Sequence, residues 1–469
     1  MSRTPMQFFE ALSAIPRISG NEKAAADFVE KLAREKGYEV RRDAMHNMVV
    51  VRPASAGCEH ADTFMMQGHL DMVAAAKEGV THNFDTDPIK LVRDSDLLRA
   101  DGTTLGADDG VAVAYMLAIL EDDSVVAPRL ECVFTVQEES GLIGVQAFDF
   151  SGLKATKMLN LDAGPEGVLL VTNAGGCRLK VKRDTAYEPI CGKAWNITIS
   201  GLRSGNSTAA IQKEQANALT LSGILADALR ARGGRLISLS GGEKENIMPA
   251  SASLLVAFEG DIASVLEPLA QEITSAWEVA DPDMKILWKE TEAAEMMDAA
   301  SSDAVIDLLM HLPQGILSWS AAFEGLVETT SNVGICKADR AGMEISMSVR
   351  SASNFRKHMV QRSVSHLAEN CGATVEVSGD YPGWSYQPES PLRELCIEVF
   401  EEQYGRKPSV EGVHAGLECG VFKAAMPHLD IVATGPLYKE MHTANEWLDV
   451  PSFERTYEFI LRLLKKLSV

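Results

Sequence analysis

Three apolar, strand-like segments near the start of the chain each end in a short polar cluster. The clusters are Gly68-His69-Leu70-Asp71, Gln137-Glu138-Glu139 and Asn160-Leu161-Asp162. A fourth cluster, Leu105-Gly106-Ala107-Asp108-Asp109-Gly110, precedes the apolar, helix-like run GVAVAYMLAIL. Strands that alternate with helices favour an α/β domain with a mixed, largely parallel sheet. Since ligand sites in open α/β sheets lie beyond the C-terminal ends of strands, we expect these clusters at one edge of the sheet.

The segment before the first strand predicts a helix. Ser19-Gly20-Asn21-Glu22 has the spacing of a capping box, in which Ser19 and Glu22 cap the first turn. The helix is expected to continue through Lys36, and Gly37 stands where a C-terminal cap belongs.

The middle of the chain has a different pattern. The alternating strand AWNITISG precedes a long predicted helix, AIQKEQANALTLSGILADALRAR, and the later segments GMEISMSVRS and ATVEVSG are strands. Half-polar strands with helices on one side favour an α+β domain. We therefore predict a catalytic domain formed by residues 1–175 and 383–469, with an α+β domain inserted over residues 176–382.

The charge and composition of the chain disfavour nucleic-acid and membrane partners and indicate a cellular compartment. The chain has 66 acidic and 44 basic residues, and the resulting net charge of −22 disfavours nucleic acid and anionic membrane surfaces. No apolar run approaches the roughly 20 residues of a membrane span, and the N-terminal segment lacks the pattern of a signal peptide. The eight cysteines are scattered without a CxxC pair, and Cys132 lies in an apolar run typical of a buried thiol. We therefore expect a cytoplasmic protein.

The polar clusters contain the ligand types of a hydrolytic zinc site. Such a site needs histidine nitrogens and carboxylate oxygens, and two ions about 3.5–4 Å apart need a bridging carboxylate. Taken singly, an Asp after a strand is usually a turn residue, and a Glu-Glu pair usually lies on a solvent-exposed edge. Taken together, so many carboxylates would repel one another, and a divalent cation is the natural compensation. The candidates are His69, Asp71, Asp108, Asp109, Glu138, Glu139 and Asp162.

Two further histidines lie in the last segment of the chain. His414 and His442 each stand beside turn-forming residues, and composition alone does not distinguish either one as a ligand.

Six motifs in a fixed order carry a resemblance to a known family: GHLDMV, LGADDGV, QEESGLIG, NLD, HAGLECG and MHTANE. With PRISGNE near the start, and GDYPGW and YGRKP before the final segment, the chain resembles the aminoacylhistidine (Xaa-His) dipeptidases. These belong to a wider family of dinuclear zinc aminopeptidases, carboxypeptidases and deacylases. The resemblance spans nearly the whole chain and implies a zinc-peptidase catalytic domain with an inserted lid domain that also forms a homodimer.

The resemblance also implies roles for single residues. The metal ligands are His69, Asp108, Glu139, Asp162 and His442, with Asp108 as the bridge between two ions per chain. Zinc is the expected ion, with cobalt and manganese as alternatives. Asp71 orients His69, and the family commonly has a cis peptide at the position of Asp108–Asp109. Glu138 is the general base that takes a proton from a water shared by the two ions, and the resulting hydroxide attacks the peptide carbonyl.

The inserted domain departs from the family pattern at one position. The family motif Gly-Leu-x-Gly-Gly-His-Ser-Gly corresponds to GLRSGNST at residues 201–208, so Asn206 stands where the family has a histidine. That histidine reaches a neighbouring subunit's active site and stabilises the oxygen of the intermediate. Asn206 can donate a hydrogen bond but cannot be cationic. Losing one such donor can cost roughly a hundred- to a thousandfold in turnover.

Two other positions of this domain match substrate-binding positions of the family. Asn246 matches a lid position that faces the substrate, and Arg350 resembles the arginine that binds the carboxylate of the substrate. The alternative for Arg350 is a surface ion pair.

The sequence therefore predicts a cytoplasmic, metal-dependent dipeptidase that acts on small peptides. Hydrolysis of another small amide, such as an N-acyl amino acid, stays open because the metal motifs do not separate the two activities. A catalytically weak, metal-dependent binding protein is the third possibility. Asn206 supports it, whereas Glu138 opposes it because a binding protein needs ligands but no general base.

Overall fold

The computed structural model describes residues 2–469, and the chain forms two compact units. The first unit contains the residues up to Asn173 together with Trp384–Val413 and Leu417–Val469. The second contains Ala174–Gly383 and His414–Gly416. The insertion expected at residues 176–382 lies within the second unit, and the lid and dimerisation roles given to it stay predictions.

Helices and strands are both abundant in the described chain. The α-helices are α1 Pro5–Ser13, α2 Lys23–Glu35, α3 Ala107–Glu121, α4 Ile143–Gln146, α5 Ser207–Ala210, α6 Ala218–Arg230, α7 Ala263–Ala276, α8 Ala299–His311, α9 Asn354–Asn370, α10 Pro391–Tyr404, α11 Cys419–Ala425 and α12 Val450–Leu467. The strands are β1 Glu39–Arg42, β2 Met48–Arg52, β3 Phe64–His69, β4 Leu91–Asp94, β5 Leu97–Ala100, β6 Leu130–Thr135, β7 Lys157–Asn160, β8 Val168–Asn173, β9 Gly175–Arg183, β10 Tyr187–Pro189, β11 Lys193–Ser200, β12 Arg235–Gly241, β13 Ala252–Phe258, β14 Lys285–Thr291, β15 Glu295–Met297, β16 Gly315–Trp319, β17 Val327–Asp339, β18 Gly342–Ser351, β19 Thr374–Tyr381, β20 Ser409–Val413, β21 Asp430–Ala433, β22 Tyr438–Lys439 and β23 Trp447–Asp449.

The first unit is built on an eight-stranded sheet in the order β1-β2-β6-β3-β7-β21-β8-β20. Its central strands β6, β3, β7 and β21 are adjacent and parallel, whereas β1, β2 and β8 form antiparallel pairs. Every residue of β3 and β6 is buried, as expected for parallel strands that are covered on both faces. The predicted α/β class with a mixed, largely parallel sheet is confirmed.

Helix α3 packs against the end of β3. All residues from Ala107 to Leu120 are buried, because the helix is apolar on every side. Gly68 permits the close approach: a Cβ at this position would lie 2.4 Å from the Cβ of Ala112 and 2.4 Å from Oδ2 of Asp109. The start of α3 therefore lies directly beside His69, the last residue of β3.

The predicted helix near the start of the chain is present as α2, and Gly37 after it has the positive φ of a C-terminal stop. The predicted capping box is wrong, because Glu22 itself occupies the N-cap position. The hydroxyl of Ser19 donates instead to Oδ2 of Asp71 at 2.7 Å, and Oε1 of Glu22 accepts the backbone N–H of Gln137 at 3.0 Å. The side chains of Ser19 and Glu22 thus connect the segment before α2 to the segments that follow β3 and β6.

The second unit carries an antiparallel sheet in the order β14-β11-β13-β12-β17-β18-β9-β19, with β16 paired to β17. Its buried apolar core contains residues of α6, α7, α8 and α9 together with residues of the sheet. The predicted α+β class of this part of the chain is confirmed.

The long helix predicted over residues 210–232 is shorter than expected. A 3-10 turn at Ile211–Lys213 precedes Glu214, which has a φ of +54°, and α6 begins only after Asn217. The side chain of Asn217 accepts the N–H of Leu219 at 2.9 Å and so caps α6. Asp281 accepts the N–H of Ala216 at 2.7 Å and stabilises the break between the two helical segments.

Two simpler expectations concern membranes and cysteines. Among residues 2–469, no helix has the length and apolar character needed to span a membrane. Within the same residues all eight cysteines are free thiols, and burial raises the pKa of Cys132 to about 12. The buried thiol predicted at Cys132 is therefore confirmed.

Candidate active site

Asp108 lies between the two histidines that the resemblance names as ligands. Its Oδ1 is 3.0 Å from Nε2 of His69, and its Oδ2 is 3.2 Å from Nε2 of His442. His442 follows β22 in a turn and has a φ of +63°. Each oxygen of the Asp108 carboxylate thus faces a different histidine, which is the arrangement that a bridging ligand requires. The peptide bond between Asp108 and Asp109 is cis, as the resemblance implies.

The remaining predicted ligands lie on either side of Asp108. Oε1 of Glu139 is 2.8 Å from Nε2 of His442, and Oδ2 of Asp162 is 3.9 Å from Nε2 of His69. Potential ligand atoms lie within 4.8 Å of one another in three groups: Asp108, Glu139 and His442; His69, Asp109 and Asp162; and His69, Glu138 and Glu139. The structure therefore brings together all five predicted ligands and the predicted base.

Asp109 belongs to the same cluster, although the resemblance gives it no role. Its Oδ2 accepts the backbone N–H of His69 at 3.2 Å, and its buried Oδ1 has no hydrogen-bond partner among the described residues. An unsatisfied carboxylate oxygen in a buried position is costly unless a cation compensates it.

The charges of this cluster fit divalent metal ions. Burial raises the pKa of Asp109, Glu138 and Asp162 well above the ordinary range of carboxyl groups. Hydrogen bonds to Asp108 and Glu139 raise the pKa of His442 to about 10. These shifts favour the protonated forms of the groups, whereas metal binding requires the same groups to give up their protons. Nitrogen and carboxylate donors that lie this close together are the ligand types of a metal centre.

Asp71 connects the strand end at His69 with the segment after β6. Nδ1 of His69 is 3.1 Å from the backbone oxygen of Asp71 and 3.4 Å from its Oδ1. The carboxylate of Asp71 also accepts the backbone N–H of Glu138 at 3.0 Å and that of Glu139 at 3.2 Å. The geometry suits the predicted orienting role, and it adds a second role that the motifs do not indicate.

Asn206 and Asn246 of the second unit lie on two segments that hydrogen-bond to each other. The N–H of Ser207 donates to the backbone oxygen of Asn246 at 2.8 Å, and Asn206 pairs with Ile247 in an isolated bridge. The side chain of the buried Asn332 supports the second segment by donating to the backbone oxygen of Ile247 at 3.0 Å. Asn206 itself is exposed.

Arg350 lies on β18 in a polar cluster of the second unit. Its Nη1 donates to the hydroxyl of Tyr381 at 3.0 Å, and it stands opposite Thr330 in the sheet. Oγ1 of Thr330 is 2.8 Å from Nε2 of His414, which is buried. Burial, together with the positive charge of Arg350, lowers the pKa of His414 to about 4.

Comparisons with known proteins identify the family of this chain. The model of peptidase family M20/M25/M40 matches residues 65–466. The chain belongs to this family. It is 32% identical to the cytosol non-specific dipeptidase of Escherichia coli over 98% of this chain and 96% of the relative. Its structure is similar to that of the aminoacylhistidine dipeptidase from Vibrio alginolyticus, with a TM-score of 0.92, 30% identity and coverage of 98% and 96%.

A more distant likeness shows the fold alone. The aminopeptidase PepT from Bacillus cereus has a TM-score of 0.58 and 18% identity, with coverage of 99% of this chain and 98% of that one. The family predicted from the motifs is thus confirmed, and this chain is a member of peptidase family M20/M25/M40.

Beside the predicted ligands of this family member lie three buried charged residues that the sequence did not single out. Arg17 donates to the backbone oxygens of Leu70, Asp71 and Gly106 at 2.8, 3.0 and 2.6 Å. Glu418 accepts from the hydroxyl of Thr135 at 2.6 Å, and burial raises its pKa to about 7. Glu446 accepts backbone N–H groups at the start of α3. Each of the three lies inside a motif of the resemblance: PRISGNE, HAGLECG or MHTANE. Membership in these motifs is the sequence feature that could have indicated them.

Proposed function

We propose that this chain is a metal-dependent dipeptidase that hydrolyses small peptides with two divalent ions and with Glu138 as general base. The position of Asp108 carries the proposal, because one of its carboxylate oxygens faces His69 and the other faces His442. The similarity over almost the whole chain to a dipeptidase of Escherichia coli supports a dipeptide substrate.

The two ions would be held by two sets of donors that share Asp108. The first set is His69 with Asp108 and Asp162, whose oxygens lie 3.0 and 3.9 Å from its Nε2, and the second is Asp108, Glu139 and His442. Zinc is the ion that this mixture of nitrogen and oxygen donors suits, and cobalt and manganese are the alternatives. When bound, such a pair of ions acidifies water and stabilises negative charge on the carbonyl oxygen of the substrate.

Glu138 would move one proton during each turnover. Its carboxylate accepts a proton from water while the water oxygen forms a bond to the carbonyl carbon. It then donates that proton to the amine nitrogen while the carbon–nitrogen bond breaks, and so returns to its starting state. Burial raises the pKa of Glu138, a direction that favours its taking up the proton from water.

Residues of the second unit would bind the substrate. Asn206 would donate a hydrogen bond to the carbonyl oxygen, Asn246 would face the substrate, and Arg350 would bind the terminal carboxylate. Arg350 is suited to this role because its Nη1 contacts a tyrosine hydroxyl and its buried Nε has no hydrogen-bond partner among the described residues. We further propose that the second unit mediates a homodimer and that the enzyme is cytoplasmic, like the cytosol dipeptidase of Escherichia coli.

The test is a substrate panel with defined metal content. Protein stripped of metal by a chelator is loaded with two equivalents of zinc, cobalt or manganese and incubated with dipeptides, including Xaa-His, and with N-acyl amino acids. Release of free amine from dipeptides, dependent on the added ion, is the expected result. A Glu138→Gln variant purified in the same way controls for peptidases of the expression host, since it should release none.

Two results would overturn the proposal. Cleavage of N-acyl amino acids without cleavage of dipeptides would make the protein another kind of amide hydrolase. Absence of cleavage by protein that holds two ions would favour the metal-dependent binding protein.

A further inference from the structure

Glu446 joins the two chain segments that carry Asp108 and His442. Its carboxylate accepts four consecutive backbone N–H groups, those of Leu105 at 2.7 Å, Gly106 at 2.9 Å, Ala107 at 2.8 Å and Asp108 at 3.3 Å. Glu446 follows His442 by four residues, and its own N–H donates to the backbone oxygen of Thr443 at 3.2 Å. One buried side chain therefore connects the turn before α3 to the turn that presents His442.

The four N–H groups need such a partner. They lie at the start of α3, where backbone donors have no acceptor inside the helix and carry partial positive charge. A carboxylate offers about four lone-pair sites on two oxygens and can accept all of them. Glu446 is 2% exposed, so water does not replace it readily.

Arg17 holds the same turn to a different segment. Its guanidinium donates to the backbone oxygen of Gly106 and to those of Leu70 and Asp71, which follow His69. Arg17 thus fixes the turn relative to His69, whereas Glu446 fixes it relative to His442. The side chain of His442 is 47% exposed, so packing alone constrains it less than it constrains the buried His69.

We propose that Glu446 is a positioning residue that sets the spacing between Asp108 and His442 and thereby the affinity for the second of the two ions. This inference rests on the proposed function, because it concerns the pair of ions described there. Glu446 acts through the backbone of Asp108 and through the turn of His442.

The test uses Glu446→Gln, which keeps the size of the side chain but replaces one acceptor oxygen with an amino group that faces N–H donors. Metal-free variant and unsubstituted protein are titrated with zinc against a chromophoric chelator, and with cobalt while the visible absorption is recorded. The second ion should bind roughly 10–100-fold more weakly to the variant, with the first ion little affected. The cobalt bands of the second ion should change.

Glu131→Gln is the matched control. Glu131 is also a buried carboxylate of the first unit, and it accepts the backbone N–H groups of Lys154 at 3.0 Å and Ala155 at 3.1 Å. Its substitution should lower the melting temperature and leave the affinities for both ions unchanged. If Glu446→Gln behaves in the same way, the role of Glu446 is only structural and the inference is overturned.

Two further measurements cover the case of a variant that does not fold and separate this inference from the proposed function. If Glu446→Gln does not fold, Glu446→Asp retains the charge on a shorter side chain; weaker binding of the second ion supports the inference, and unchanged binding overturns it. The unsubstituted protein separates the inference from the proposed function. Fewer than two ions bound to it would overturn the proposed function and this inference together, whereas two ions with an unaffected variant would overturn the inference alone.

Discussion

The carboxylate of Asp71 accepts the backbone N–H of Glu138 at 3.0 Å. Asp71 also lies beside Nδ1 of His69, so one side chain contacts a proposed metal ligand and fixes the backbone of the proposed base. The ends of β3 and β6 are adjacent in the sheet, which is why this contact forms.

Asp71→Asn should lower kcat by roughly 10–100-fold. The side-chain amide has one acceptor oxygen in place of two, so the backbone N–H of either Glu138 or Glu139 loses its acceptor. Steady-state kinetics and zinc competition on the same samples would measure the effect. Ser19→Ala is the control, since it removes one hydrogen bond to Asp71 and leaves both N–H bonds in place. Normal kcat in Asp71→Asn would exclude the positioning role.

Glu138→Gln and Glu139→Gln should separate proton transfer from metal binding. Glu138→Gln should abolish turnover while the protein keeps two ions, because the residue moves protons and is outside the two proposed ligand sets. Glu139→Gln should lose the second ion, since Oε1 of Glu139 lies beside His442. Metal analysis with activity on the same preparations is the measurement, and near-normal turnover of Glu138→Gln would show that the base is another group.

Binding of the two ions should release protons at neutral pH, at least one of them from His442. Hydrogen bonds to Asp108 and Glu139 raise the pKa of His442 to about 10, and hydrogen bonds to Asp108 and Asp71 outweigh burial and raise the pKa of His69. The imidazole of His442 is therefore protonated before binding, and both imidazoles must be neutral to bind a metal. Affinity should fall as the pH falls, because protons compete with the ions. Calorimetry in two buffers with different heats of protonation counts the protons, and equal heats in both buffers would contradict the prediction.

His414 should make folding less favourable in acid. Burial and the charge of Arg350 lower its pKa to about 4 from 6.5, so the unfolded chain binds more protons between these two values. The stability that neutral His414 contributes is complete above pH 6.5 and is lost as the pH falls towards 4, to an extent of about 3 kcal/mol. Urea unfolding at several pH values would measure it. His414→Gln should show a shallower decline, and an unchanged decline would contradict the prediction.

Asn206→His should raise kcat on a dipeptide by about tenfold or more, with a smaller effect on KM, because a histidine is the stronger donor in the transition state. Asn206→Ala should lower kcat. If the residue acts on the partner subunit, mixing Asn206→Ala with Glu138→Gln should restore some activity in hybrid dimers. Unchanged kinetics in both Asn206 variants would mean that this segment has lost its family role.

The strands that carry the site are predictable from the sequence. In β3, β6 and β7, apolar runs end in polar clusters, and the order of parallel strands places those ends together. The close approach of α3 follows from its apolar run at residues 111–120 and from Gly68.

Contacts between distant segments were not predictable in the same way. Ser19 and Glu22 have the spacing of a local cap, but their side chains bind residues 52 and 115 positions away. Arg17 and Glu446 form hydrogen bonds with backbone atoms of the turn before α3. Every residue type has these backbone atoms, so the sequence of the turn does not indicate the contacts. The break at Glu214 depends likewise on Asp281, which is remote in the sequence.

The separation of Asp108 and His442 by 334 residues also has a consequence during translation. A ribosome that adds roughly 5–20 residues per second needs on the order of 20–70 s to pass from one to the other. Once residue 162 has been added, the nascent chain carries His69, Asp108 and Asp162 but still lacks His442 and Glu446. The proposed hydrolytic centre therefore cannot be completed on a growing chain until the whole second unit has been synthesised, and we expect translation products that end before His442 to leave peptides uncleaved.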